Sequence, residues 1–227
     1  MNIALILSGG KGERMGEDIP KQFLKVNDCP IIVYTLLKMQ NHPKIDKIQA
    51  VCVAGFENTL LNYAKQYDIS KLNKVVTGGK TRYESTRIGM ESLNAAADDI
   101  IVAHDSVRPL VPEKVISEVI EVCKVYGNSM SVLNCTDTIY EKTASDYTAK
   151  ERDRAKLVRG QTPEAVTGKR MKEMYAASDK KNIRLDSISA LQTALGYKVH
   201  FAEGSELNIK ITRPEDMIIC KSFLSIV

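Results

Sequence analysis

The sequence predicts a three-layer α/β fold with a mostly parallel sheet. Short, continuous apolar runs alternate with stretches of helical period through the first part of the chain, and glycines close several of the runs. A residue content of 44% hydrophobic and 26% charged over 227 residues gives enough apolar side chain for a sizeable core.

Asn2 to Leu7 reads as a buried parallel strand, because it is apolar throughout and runs into glycines. "PIIVYTLLKM" is a helix with Pro30 in its first turn. "KIQAVCVA" is a second strand and "NTLLNYAKQY" an amphipathic helix. "NKVVTGG" is a third strand, and "TRYESTRIGMESLNA" the helix after it. "DIIVAHD" is a fourth strand. In "PEKVISEVIEVCKVYG", Val115, Ile116, Val119, Ile120 and Cys123 fall on one helical face, and Gly127 stops the helix. "SMSVLNC" is a fifth strand.

From about 136 to 160 the pattern breaks into β-prone ends around a polar centre, which fits an extended hairpin arm or a loose surface loop. An arm of this kind often makes a dimer contact. Helices follow around Lys169–Ser178 and Ser187–Leu195, then a strand "YKVHFAEG". "TRPED" opens a last helix with capping-box spacing from Thr212 to Glu215. Residues 1–227 read as a single domain, with the arm within it.

The net charge of +4 is spread along the chain, without the basic stripe and interleaved aromatics of a nucleic-acid binder. A small anionic ligand accounts for the surplus equally well. The five cysteines lack CxxC spacing, so they read as free thiols of a reducing cytoplasm. The apolar start is too short for a signal peptide or membrane span. Nucleic acid and membrane are therefore not expected as partners, and the protein is expected in the cytoplasm.

"LSGGKGERMGEDIPKQF" is the main chemical signal. Gly10, Gly12 and Gly16 do not have the GxGxxG spacing of a dinucleotide loop, and the second strand ends without an acid. Lys11 is followed by Gly12 rather than Ser or Thr, so it is not a P-loop. A glycine loop whose backbone N–H groups approach an anion remains, with Arg14 to fork phosphate oxygens and Lys21 as a point charge. Two cations beside such a nest suit a polyphosphate; a tight turn with solvated cations is the bland alternative.

"AHDSVRP" ends the fourth strand, where open α/β sheets bind ligands. Asp105 and Arg108 should therefore stand beside the glycine loop. Asp105 suits Mg²⁺ or a sugar hydroxyl, and His104 is either a base or a core histidine. "TGGKTRYES" places Arg82 and Ser85 on one helix face, where Ser85 could meet a base or ribose; a self-capped helix start is the alternative.

Taken in order, "GGKGERM…PKQF", "GGKTRYES", "HDSVRP", "RDRAKLVRGQTPEAV" and "NIKITRPED" resemble the cytidylyltransferases of sugar-alcohol phosphates over nearly the whole chain. The resemblance implies a Rossmann-like nucleotidyltransferase fold, the substrates CTP and a polyol phosphate, Mg²⁺, and a homodimer. Arg14 and Lys21 would stabilise the transition state. Leu7, Ser8, Gly9 and Gly10, with Gly79, Arg82 and Ser85, would hold the cytidine portion. Arg154 and Lys210 would position the polyol phosphate, with Asp105, Arg108, Thr162 and Asp186 in the segments around it. The arm would carry Arg154 into the neighbouring subunit's site.

Two branches fit: ribitol-5-phosphate cytidylyltransferase and 2-C-methyl-D-erythritol 4-phosphate cytidylyltransferase, with a third polyol phosphate as a further option. Val107 in "HDSVRP", "GQTPEAV", and Tyr140 with Glu141 after "DTI" lean to ribitol. "NIKITRPED" leans to the erythritol form, whose "TDEAS" motif is "LDSIS" here, keeping Asp186 alone. Ser8 stands where the family usually has alanine. Two other readings compete: a nucleotide-binding protein without turnover, and a UTP-dependent sugar pyrophosphorylase. The presence of Arg14, Lys21 and Lys210 argues against the first, and the "QTP" and "NIKITRPED" segments against the second.

Overall fold

Parallel pairing dominates the sheet, whose three central strands are buried on both faces. The structure, a computed structural model, describes residues 1–10 and 19–224. The central strands are β1 (Asn2–Ser8), β4 (Lys47–Cys52) and β6 (Ile100–Asp105). The sheet has the order β11-β7-β10-β6-β1-β4-β5, completed by β5 (Leu72–Thr77), β7 (Asn128–Asn134), β10 (Val158–Thr167) and β11 (Phe201–Glu203). Only β10 runs antiparallel, wedged between β6 and β7.

Helices cover both faces. On one, α1 (Ile31–Asn41), α2 (Glu57–Gln66) and α4 (Glu113–Tyr126) share a core with Ala4, Ile6 and Val102. On the other, α3 (Arg82–Ser92), α5 (Gly168–Lys181) and α6 (Ile188–Ala194) pack on Leu5, Val51 and Ile101. α7 (Pro214–Leu224) packs Cys220 into a smaller cluster with Val26, Ile31, Val107 and Ile211. Among the described residues no helix is long and apolar enough to cross a membrane.

Several expectations are refined. Pro30 is the N-cap of α1 rather than part of its first turn, and it pairs in a short ribbon, β2 (Lys25–Val26) with β3 (Cys29–Pro30). Gly127 ends α4 in the left-handed region, at φ 79°. The last helix is not capped as its spacing suggests. Asp216, not Glu215, accepts from the N–H groups of Thr212 and Arg213, while the Thr212 hydroxyl turns back to the Lys210 carbonyl.

The strand expected over "YKVHFAEG" shrinks to β11, an edge strand paired on one side only. Conversely, β10 was not expected at all, since Pro163 and its polar neighbours demote a strand reading. The register shifts between Gln161 and Glu164, and this irregularity accommodates the proline. Between β7 and β10 the chain leaves the body as a hairpin, β8 (Ile139–Glu141) with β9 (Lys150–Arg152), which supports the arm reading over a loose loop.

Candidate active site

The carboxyl ends of β1, β4, β5 and β6 open into one cavity of about 870 Å³, a size that suits a nucleotide. Leu7, Ser8, Gly9, Gly10, Lys21, Gly79, Arg82, Ser85, Asp105 and Lys210 all line it, so most of the expected site converges here. Arg14 lies outside the described residues, as do the other glycine-loop residues 11–18.

The glycines are needed for close approach. A Cβ on Gly9 would come within 2.9 Å of the Ser85 hydroxyl, and one on Gly78 within 2.8 Å. The end of β1, the end of β5 and the start of α3 can therefore meet only without side chains there. Ser85 uses its hydroxyl locally, accepting from the Gly79 N–H at 3.1 Å and lying 3.3 Å from the Gly79 carbonyl. α3 itself starts with a capping box of Thr81 and Glu84. The helix start is self-capped, as the alternative reading has it, and the turn forms one wall of the cavity.

Lys21 sits on a short 3₁₀ helix, Lys21–Phe23, anchored by Phe23 stacking on Phe56 with ring centroids 4.8 Å apart. Its ammonium donates to the Ile211 carbonyl at 3.0 Å, which brings it to the segment that carries Lys210. Gln22 was not singled out by the sequence. Buried, it donates from Nε2 to the carbonyls of Ser8 and Gly10, both at 2.9 Å, and so fixes the base of the glycine loop.

Asp105 is the electrostatic hub. It is 2% exposed; its Oδ1 accepts from Arg82 at 2.7 Å, and its Oδ2 lies 2.9 Å from the Lys210 ammonium and 3.5 Å from Arg108 Nε. Burial alone would raise this carboxyl, but Arg82, Lys210 and Arg108 outweigh it and hold it far below the ordinary carboxylate range. Its N–H donates to the Thr162 hydroxyl at 3.1 Å, so Thr162 fixes the Asp105 backbone.

Asn208 ties this hub to the Lys210 segment and was likewise not singled out. Fully buried, it donates to the Thr162 carbonyl at 2.8 Å, and its own carbonyl accepts from Arg108 at 2.6 Å. Glu164 lies beneath, buried and accepting from the Ser189 N–H and hydroxyl; burial raises its carboxyl. Asp186 and Arg82 border the small space around it.

His104 is settled as a core histidine. It is fully buried, burial pushes it down to about 4, and its Nε2 lies 3.3 Å from the Arg108 carbonyl. It is neutral near pH 7 and does not face the cavity. Arg154 does not line the cavity of its own chain: it lies exposed in the arm segment just after β9, donating to the Thr136 carbonyl.

Both Asp105 oxygens already face cations, and no group of three His, Cys, Asp or Glu side chains among the described residues is placed to hold an ion. The described side chains therefore do not fit a protein-held Mg²⁺, and the expected ligation by Asp105 finds no free carboxylate edge. What the cavity offers is a glycine-lined wall beside the cations Lys21, Lys80, Arg82 and Lys210, a lining that suits an anionic ligand.

Comparison with known proteins agrees. The family model described as 2-C-methyl-D-erythritol 4-phosphate cytidylyltransferase matches residues 2–225. A ribitol-5-phosphate cytidylyltransferase of Lacticaseibacillus paracasei is 38% identical over 229 residues, spanning 99% of this chain and 98% of that protein. A 2-C-methyl-D-erythritol 4-phosphate cytidylyltransferase of Syntrophus aciditrophicus is 34% identical over 98% of this chain and 95% of its own. Among solved structures, a 4-diphosphocytidyl-2C-methyl-D-erythritol synthase from Anaerococcus prevotii superposes with a TM-score of 0.82 at 25% identity, covering 99% of this chain and 96% of that one.

Proposed function

The chain belongs to the 2-C-methyl-D-erythritol 4-phosphate cytidylyltransferase family, and from that premise we propose that it transfers the cytidylyl group of CTP to D-ribitol 5-phosphate, giving CDP-ribitol and pyrophosphate. It is a CTP-dependent cytidylyltransferase acting on a sugar-alcohol phosphate. The observation that carries the choice of acceptor is the "HDSVRP" sequence. Its Val107 is buried against Ile211 and borders the cavity beside Asp105. The relative named ribitol-5-phosphate cytidylyltransferase supports the same choice. "NIKITRPED" favours the methylerythritol acceptor as a second reading.

The chemistry needs no strong base. The acceptor phosphate has a second pKa of about 6 and is already anionic near pH 7. One of its oxygens bonds to the α-phosphorus in line as the bond to the β-phosphate oxygen breaks, and pyrophosphate leaves with that electron pair. No proton need move, which agrees with a cavity rich in Lys and Arg and a histidine that does not face it. Lys21 and Arg14 neutralise charge on the triphosphate, while Lys210, with Arg154 of a second copy, receives the acceptor phosphate. A divalent cation is expected to arrive on triphosphate oxygens and water rather than in a cage of side chains.

The test is pyrophosphate release with CTP against ribitol 5-phosphate and 2-C-methyl-D-erythritol 4-phosphate side by side. A higher kcat/KM for ribitol 5-phosphate is expected; preference for methylerythritol phosphate would transfer the assignment to the other branch.

The homodimer belongs to the same proposal. The arm is a two-stranded hairpin with Tyr140 and Tyr147 exposed, and such ribbons are marginal alone. Arg154, remote from its own cavity, would complete the site of a second copy. Mixing Arg154→Ala with Lys21→Ala protein should then restore activity, because one site of each heterodimer recovers both residues. Random exchange would return about a quarter of wild-type turnover. Verified heterodimers without any recovery would refute the crossing.

A further inference from the structure

Lys210 lines the cavity from a stretch of irregular backbone: residues 204–213, between β11 and α7, belong to no helix or strand. A sheet ladder does not hold this lysine in place, so side chains must. Downstream, the Ile211 N–H donates to the Val107 carbonyl at 2.9 Å, and the Ile211 carbonyl accepts from Lys21. Upstream, the turn from Ser205 to Asn208 is gripped by Gln161, which stands in β10 at the edge of its register shift. Gln161 Nε2 donates to the Ser205 carbonyl at 3.0 Å and to the Asn208 carbonyl at 3.4 Å. Its Oε1 accepts from the Ser205 N–H and from Asn208 Nδ2, both at 3.2 Å. A side-chain amide has two N–H donors and two acceptor lone pairs, so this one turn takes up the whole capacity of Gln161. Gly204 makes the approach possible: a Cβ there would come within 2.7 Å of Gln161 Oε1 and 2.8 Å of the Val132 carbonyl. Gln161 itself does not line the cavity.

We propose that Gln161 is a positioning residue for the acceptor phosphate: its amide clips the turn from Ser205 to Asn208 and so sets where Lys210, two residues further on, holds its ammonium. The inference rests on the reading of Lys210 as a contact of the acceptor phosphate. Without the clip, the segment is still tied at Ile211 and by Asn208 to the Thr162 carbonyl. Lys210 then keeps its charge but loses the fixed backbone from which it reaches the cavity, and misplacing a binding group weakens what it binds. A glutamine with only a structural role would behave differently: its loss would lower stability and leave the two substrates equally affected.

Steady-state pyrophosphate release separates the two roles, with CTP and whichever of ribitol 5-phosphate and 2-C-methyl-D-erythritol 4-phosphate is the better acceptor. Gln161→Met keeps the length of the side chain and removes its hydrogen bonds to the turn. Gln161→Asn keeps the amide but falls a methylene short, and it serves as the second variant. For both, the KM for the acceptor should rise about tenfold while the KM for CTP stays at the wild-type value. Added to Lys210→Ala, either substitution should raise the acceptor KM no further, because the group it positions is gone. An unchanged acceptor KM, an equal rise for CTP, or a full further rise on top of Lys210→Ala would each overturn the positioning role. Lys210→Ala protein with a wild-type acceptor KM would overturn the reading of Lys210 itself, and this proposal with it.

Discussion

Lys21→Ala is expected to lower kcat by roughly 10²–10³ while leaving the fold intact. The lysine lies on a short 3₁₀ helix held by Phe23, not by the ammonium, so its removal leaves the Phe23–Phe56 stack in place. The ammonium's hydrogen bond to the Ile211 carbonyl is partly buried, and its loss should cost about 1 kcal/mol of stability. The catalytic loss is larger because charge accumulates on the leaving pyrophosphate as the α–β bond breaks. A fixed cation is then needed more in the transition state than in the bound ground state. Steady-state pyrophosphate release should therefore show the defect in kcat more than in the KM for CTP. Arginine would restore charge with a planar fork of different reach, so Lys21→Arg should recover only part of the rate. Turnover near wild type for Lys21→Ala would remove it from the chemistry.

Much of this site can be read in the sequence because it lies where topology puts it. Leu7–Gly10, Gly78–Gly79 and Asp105 stand at the ends of three of the parallel strands, each announced by an apolar run, and ligands bind beyond such ends. What the sequence does not announce is how these ends are held. Gln22 and Asn208 act through hydrogen bonds to backbone carbonyls outside their own elements, and such contacts leave no spacing signature. Their only signal is membership of the "PKQF" and "NIKI" segments, beside lysines that do stand out.

The antiparallel strand β10 escaped for a related reason. Its apolar residues Ala165 and Val166 are few, and Thr162 and Glu164 are buried by tertiary partners, Asp105 and Ser189, rather than by period. The same strand delivers Thr162 to Asp105, so the least legible element supports the most charged residue of the site. Arg154 is a different case: its number was visible in a motif, but no single chain brings it to the cavity.

Asp105→Asn should produce the largest combined loss, in stability and in activity together. Asparagine preserves the shape and leaves the backbone bond to Thr162, but it removes the one anion that three cations share. Arg108 is the most exposed to this change: it is 9% accessible, and burial already pushes its guanidinium down despite Asp105. Removing one partner of a buried charge pair costs about 3–5 kcal/mol, which the midpoint of urea unfolding would report. Anions should compensate in part, so CTP or pyrophosphate should raise the melting temperature of the variant more than that of wild type. The pH dependence has a definite sign. A carboxyl held below its ordinary range contributes stability that is present above the unfolded value, near 4, and is lost as pH falls toward the folded one. The stability gap between wild type and Asp105→Asn should thus be constant from about pH 5 to 9 and narrow in stronger acid, as the wild type alone loses this contribution. Turnover should fall at every pH in that range, since Arg82 and Lys210, which line the cavity, lose their common anchor. A gap that instead widened in acid would show that the cations are held by something other than Asp105.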